Sequence, residues 1–173
     1  MNSINIFEYS DEFIKEIIND ILKLKIQKLS NPKNNEFDNR LKQIVGKSFN
    51  ENELKELISV NDTELKEKIT NKFNESRKDR IKLLGEDHAK EIEKRIFLQS
   101  IDLNWKSHIQ YLEQLRQVIG LRSYGQRDPL IEYKKEAFDL FANLLEKLKL
   151  DFVTILMNLK VVTEQPKEEK AKE

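Results

Sequence analysis

The sequence predicts an all-α fold, a wing of short helices packed on a long antiparallel two-helix hairpin, and three observations lead there. Glycine and proline together number seven in 173 residues, about 4% where an average chain carries roughly 12%, so tight turns and helix breakers are scarce. Apolar residues recur at spacings of three and four through most of the chain, the signature of amphipathic helices. Two such stretches of similar length flank a single connection that holds two of the four glycines and one of the three prolines.

Ser10 is a candidate N-cap for the first helix, which sets Phe13, Ile14, Ile17, Ile18, Ile21 and Leu22 on one face and ends by Ser30. Asn31 to Asn35 holds Pro32 and three asparagines and reads as a loop. Phe37, Leu41, Ile44 and Val45 then mark a short helix closed by Gly46. Asn50 with Glu53, and Asn61 with Glu64, resemble capping boxes ahead of two further helices, the second running to Leu84 with Gly85 at its C-terminal boundary.

Beyond Glu86 the spacing becomes regular. Leu98, Ile101, Trp105, His108, Leu112, Leu115 and Ile119 alternate by three and four, as do Phe138, Phe141, Leu145, Leu148, Phe152, Ile155 and Leu159. This is a heptad pattern, read as the seam of the hairpin. The two arms, about 51 and 46 Å long at 1.5 Å per residue, can pair along their whole length. Asp128 followed by Pro129 starts the second arm, because the aspartate accepts an orphan N–H bond and proline at the first helical position loses a donor that had no partner. Ile96, Phe97, Leu103, Ile109, Val118, Leu140, Leu144, Val153 and Leu156 lie off that seam, a second apolar surface for the N-terminal helices to cover. The expected division is a helical wing over 1–85, a two-helix finger over 86–162, and a disordered tail over 163–173, where seven of eleven residues are charged.

Thirty-one basic and thirty-one acidic residues cancel, so no global field draws nucleic acid. Mean hydropathy is −0.68, and no apolar run approaches the roughly 20 residues a membrane span needs. There is no cysteine, and no apolar stretch follows Met1, which makes the cytoplasm the default compartment. Glycines at 46, 85, 120 and 125 build neither GxxxxGK[ST] nor GxGxxG, so no phosphate-cradling loop is expected. His88 and His108 stand in no metal-binding spacing, and no serine accompanies a histidine in a nucleophile motif. No catalytic residue, metal or cofactor is expected in this chain. His108 reads best as a satisfied histidine beside Trp105. The connection is different: Arg122, Ser123, Tyr124, Gly125, Gln126 and Arg127 would put an aromatic ring and two cations at the end of a rigid lever, able to grip varied partners. Equally, Tyr124 could fold back to plug the seam while the arginines cap helix carbonyls.

The stretches LQSIDLNWKSHIQYLEQLRQVIGLRSYGQRDP (98–129) and EYKKEAFDLFANLLEKLK (132–149) resemble the SecA family, the ATP-driven motor subunits of the bacterial preprotein translocase. Leu98, Gln99, Asp102, Trp105, His108, Leu115, Arg116, Ile119, Leu121, Arg122, Tyr124, Gln126, Asp128, Pro129, Glu132, Tyr133, Lys134, Glu136 and Phe138 fall on the family pattern. Ser123, Gly125 and Arg127 depart from its usual Gly, Ala and Lys. Residues 62–97 match more loosely, and 1–61 only by helical character.

The resemblance implies a C-terminal piece of such a motor: helical wing, then the two-helix finger of the helical scaffold. It further implies that the finger engages the SecYEG channel, that Tyr124 contacts the unfolded preprotein, and that Arg122 and Arg127 contact channel or peptide. ATP and magnesium would be bound by nucleotide-binding domains without counterpart here, and zinc by an absent C-terminal tail. The other SecA domains and, through the whole protein, an anionic membrane surface are the further partners implied, with a peripheral position at the inner membrane. The alternative is a self-associating coiled-coil scaffold whose tip is inert.

Overall fold

The computed structural model describes residues 5–125 and 128–160, and among these it is all-α. Six α-helices, α1 (Ile6–Ser30), α2 (Glu36–Val45), α3 (Glu51–Ser59), α4 (Asp62–Leu84), α5 (Glu86–Val118) and α6 (Pro129–Asn158), are joined by short links. A seven-residue 3-10 turn, Ile119–Gly125, connects α5 to the start of α6. The expected tail, 163–173, lies outside the described residues.

Local chemistry sets most of the boundaries. Asn50 accepts from the Glu53 amide while the Glu53 carboxylate accepts from the Asn50 amide, a reciprocal capping box on α3. Asn61 accepts from the Glu64 amide on α4. Between α4 and α5 the chain passes through Gly85 at φ 84°, a left-handed conformation that any side chain would strain, and this one residue breaks what would otherwise be one helix. The start of α1 differs from the sequence expectation. Asn5, not Ser10, is the N-cap, its side chain accepting from the Phe7 amide. Ser10 lies one turn inside, fully buried, with its hydroxyl 2.7 Å from Glu93 Oε2.

One core holds the wing together and includes the root of the hairpin. Ile14, Ile18 and Ile21 of α1, Leu41 and Ile44 of α2, Leu57 of α3, Leu65 and Ile69 of α4, and Phe152, Val153 and Leu156 of α6 form a single buried cluster. Burying side chains of this size contributes about 1.5–3 kcal/mol each. At its edge Phe13, Phe97 and Phe152, from α1, α5 and α6, pack ring to ring with centroids 5.2 to 6.0 Å apart. Asn158 ties the end of α6 to α2, donating to the Ile44 carbonyl at 2.8 Å and accepting from the Lys47 amide at 3.1 Å.

The centre of that junction is ionic. Glu93, fully buried on α5, accepts from Arg77 Nε at 3.1 Å and Arg80 Nη2 at 2.8 Å, both from α4. Arg77 also pairs with Asp11 of α1 at 2.6 Å and lies over the rings of Phe7 and Phe73. Three helices thus meet on one carboxylate, and the four charges balance.

Candidate functional site

Beyond the wing, α5 and α6 run on as an antiparallel hairpin, about 50 and 45 Å long from root to tip at 1.5 Å per residue. Its interface keeps part of the heptad seam read from the sequence and departs from it elsewhere. Leu98, Trp105, Phe138, Phe141 and Leu145 are exposed, Phe138 at 72%, and Ile101, Leu112 and Leu148 are half-buried. Of the fourteen residues assigned to the seam, His108, Leu115, Ile119 and Phe152 are buried. The buried residues of the two arms also include Ser100 and Asn104 of α5 and Leu144 of α6, which lie off that seam.

The physical reason lies in Asn104. Its side-chain amide donates to the Ser100 carbonyl at 2.9 Å and to Asp151 Oδ2 of α6 at 3.0 Å, which turns the polar stripe inward and sets the register between the arms. Leu98, Trp105, Phe138 and Phe141 of the heptad pattern are left along one flank. There the Trp105 ring lies 5.6 Å from the His108 ring and His108 lies 6.0 Å from Phe141, so the imidazole is enclosed between two aromatics at the edge of the interface.

At the tip, Ile119 is buried and anchors the 3-10 turn. The Ser123 hydroxyl donates to the Gly120 carbonyl at 2.7 Å. Tyr124 is 89% exposed, which rules out its folding back as a plug, and Leu121, Gly125, Leu130 and Ile131 around it are exposed as well. Arg122 is turned the other way, onto α6, where Nη1 donates to Glu132 Oε2 at 2.9 Å and pairs with Glu136. The Glu132 hydrogen bond, helped by the Glu136 charge, raises its guanidinium above the ordinary value, so it stays charged. Gln126 and Arg127 lie outside the described residues.

Asp128 and Pro129 behave as the sequence predicts. Asp128 Oδ1 accepts from the Leu130 amide at 2.8 Å, and Pro129 is the first helical residue. Asp128→Ala should cost about 1 kcal/mol of local helix stability. Hydrogen exchange is the check, with the Leu130 and Ile131 amides expected to exchange roughly fivefold faster while those of α1 are unchanged.

Sequence reasoning missed Glu93 and Asn104. Both were legible in one respect only: Ala89, Glu93, Ser100, Asn104 and His108 recur at helical spacing on the stripe that also holds Leu115. Among the described residues no group of His, Cys, Asp or Glu is arranged to hold a metal ion, and no helix is long and apolar enough to cross a membrane.

Residues 1–160 match the family model described as the SecA wing and scaffold domain. The chain is 68% identical over 164 residues to the protein translocase subunit SecA of Pelagibacter ubique, covering 95% of this chain and 19% of that protein. It is 40% identical over 127 residues to that of Caulobacter vibrioides, covering 73% and 14%. Against that of Campylobacter lari the identity is 31% over 172 residues, covering 98% and 19%. The chain therefore spans less than a fifth of the length of these relatives. With residues 1–160 of its 173 matched by the wing and scaffold model, the chain belongs to the SecA family of protein translocase subunits.

Proposed function

We propose that this segment is the channel-engaging element of a protein-export motor. Its hairpin tip enters the cytoplasmic mouth of the SecYEG channel, and Tyr124 holds the unfolded preprotein as it passes. ATP hydrolysis takes place in nucleotide-binding domains elsewhere in the whole protein, with ATP and magnesium bound there, and the hairpin transmits the movement. The other SecA domains lie against the apolar flank of Leu98, Trp105, Phe138 and Phe141, and the whole protein sits peripherally at the inner membrane.

Tyr124 carries this reading. A phenol ring 89% exposed at the far end of a two-helix lever has no role in holding the fold, whereas an apolar body with a polar tip suits contact with chains of varied sequence. The lever is stiff because its root is locked into the wing core by Phe97, Phe152 and the Glu93 ion network. Transmission needs such a two-ended rigid body.

The test is an aromatic photo-crosslinking residue at position 124 in the complete motor, assembled with its channel and a stalled preprotein. A crosslink to the preprotein is expected. A crosslink only to other parts of the motor would overturn the contact role and leave the hairpin as scaffolding.

A further inference from the structure

The sequence groups Arg122 with the outward contacts of the tip, and the structure turns it inward. Its guanidinium joins two carboxylates of α6: Glu132, at 2.9 Å from Nη1, and Glu136. The three side chains are 37%, 21% and 33% exposed, so the cluster is more than half withdrawn from water.

Two features make this more than a surface ion pair. Glu132 and Glu136 are four residues apart on one helix face, where like charges repel, and the Arg122 guanidinium beside both relieves that repulsion. The turn itself is seven residues of 3-10 helix. Runs beyond three or four residues are uncommon because the i→i+3 bonds are poorly aligned, so a turn of this length needs support from outside. Ile119 supplies it at one end; Arg122 supplies it in the middle.

The geometry then decides where Tyr124 goes. At three residues per turn, two residues along a 3-10 helix point to sides about 120° apart. Drawing Arg122 onto α6 therefore drives Tyr124 away from the hairpin, in agreement with its 89% exposure.

We infer that Arg122 is a positioning residue: its ion cluster with Glu132 and Glu136 holds the tip turn in the orientation that presents Tyr124, and Arg122 does not itself touch channel or preprotein. The inference deepens the reading of Tyr124 as the preprotein contact and rests on it.

Three forms of the complete motor test it: Arg122→Gln, Arg122→Lys, and the exchanged pair Arg122→Glu with Glu136→Arg. With the photo-crosslinking residue at 124 and a stalled preprotein, Arg122→Gln is expected to lower the crosslink yield roughly fivefold, Arg122→Lys to lower it less, and the exchanged pair to recover most of it. A crosslinking residue placed at 122 should give no preprotein or channel adduct. The proposal is overturned if Arg122→Gln leaves the yield at 124 unchanged, if position 122 crosslinks as well as 124, or if the exchanged pair recovers nothing. Spin labels at 124 and 143 read the tip without any preprotein. Their distance distribution should broaden in Arg122→Gln and narrow again in the exchanged pair, and an unchanged distribution overturns the positioning role. Absence of any preprotein crosslink from the otherwise unaltered tip, with the spin-label result as expected, would sink the contact reading of Tyr124 and leave the positioning of the turn standing.

Discussion

Glu93→Ala is expected to lower the folding stability of this chain by about 3–5 kcal/mol, the usual loss when one partner is removed from a buried ion network. Natural domains have only about 5–15 kcal/mol in total, so this is a large share. The loss has two sources. Glu93 is fully buried and receives hydrogen bonds from both Arg77 and Arg80, and the alanine variant strands those two guanidiniums with only the partly exposed Asp11 opposite them. Arg80 is the worse placed, being 2% exposed with its Nε already lacking a partner. The measurement is a urea titration followed by far-ultraviolet circular dichroism, with a lower midpoint expected. Glu113→Ala is the control, since Glu113 pairs with Arg116 in full solvent and such pairs contribute little. Equal midpoints for the two variants would mean that water reaches the junction and that the network is not what locks α5 to the wing.

How far the fold could be read from the chain depended on the range of the interaction. Caps are decided within a few residues, so Asn50, Gly85 and Asp128 were legible and act as read, while Asn61 shows one half of the expected box, accepting from the Glu64 amide. Ser10 was legible only as a residue type that caps helices. Its hydroxyl lies within hydrogen-bond distance of the Ile6 carbonyl and of Glu93, 83 positions away, and nothing local announces the second contact. The start of α1 was misplaced for this reason.

The hairpin shows the limit more sharply. Periodicity identifies a face and not what covers it. Both arms carry two apolar stripes, and the regular heptad alternation of Leu98, Trp105, Phe138 and Phe141 is the more conspicuous one. The arms pair only in part through that stripe, and the face they bury also takes in Asn104, which meets Asp151. The Asn104–Asp151 pair bridges α5 and α6, and hydrophobic pattern alone contains no record of it. At the tip, residue type pointed to Tyr124 and Arg122 together. Their opposite orientations follow from the 3-10 geometry of the turn, which the glycines at 120 and 125 permit without specifying.

Tyr124→Ala in the complete motor is expected to reduce preprotein export roughly tenfold, the scale at which loss of one exposed aromatic anchor is felt in an interface. The ring makes no packing contact that the fold depends on, since it is 89% exposed, so the urea midpoint of the variant should match that of the parent. That pairing of outcomes separates contact from structure. Tyr124→Phe removes the hydroxyl alone and should retain most export, because a chain of arbitrary sequence offers the ring apolar surface and backbone far more dependably than a partner for one hydrogen bond. If alanine at this position exports normally, the ring is no part of the grip, and the exposed Leu121, Leu130 and Ile131 beside it become the surface to test. If phenylalanine fails as badly as alanine, the hydroxyl matters, and the tip recognises backbone carbonyls by hydrogen bonding more than side chains by apolar contact.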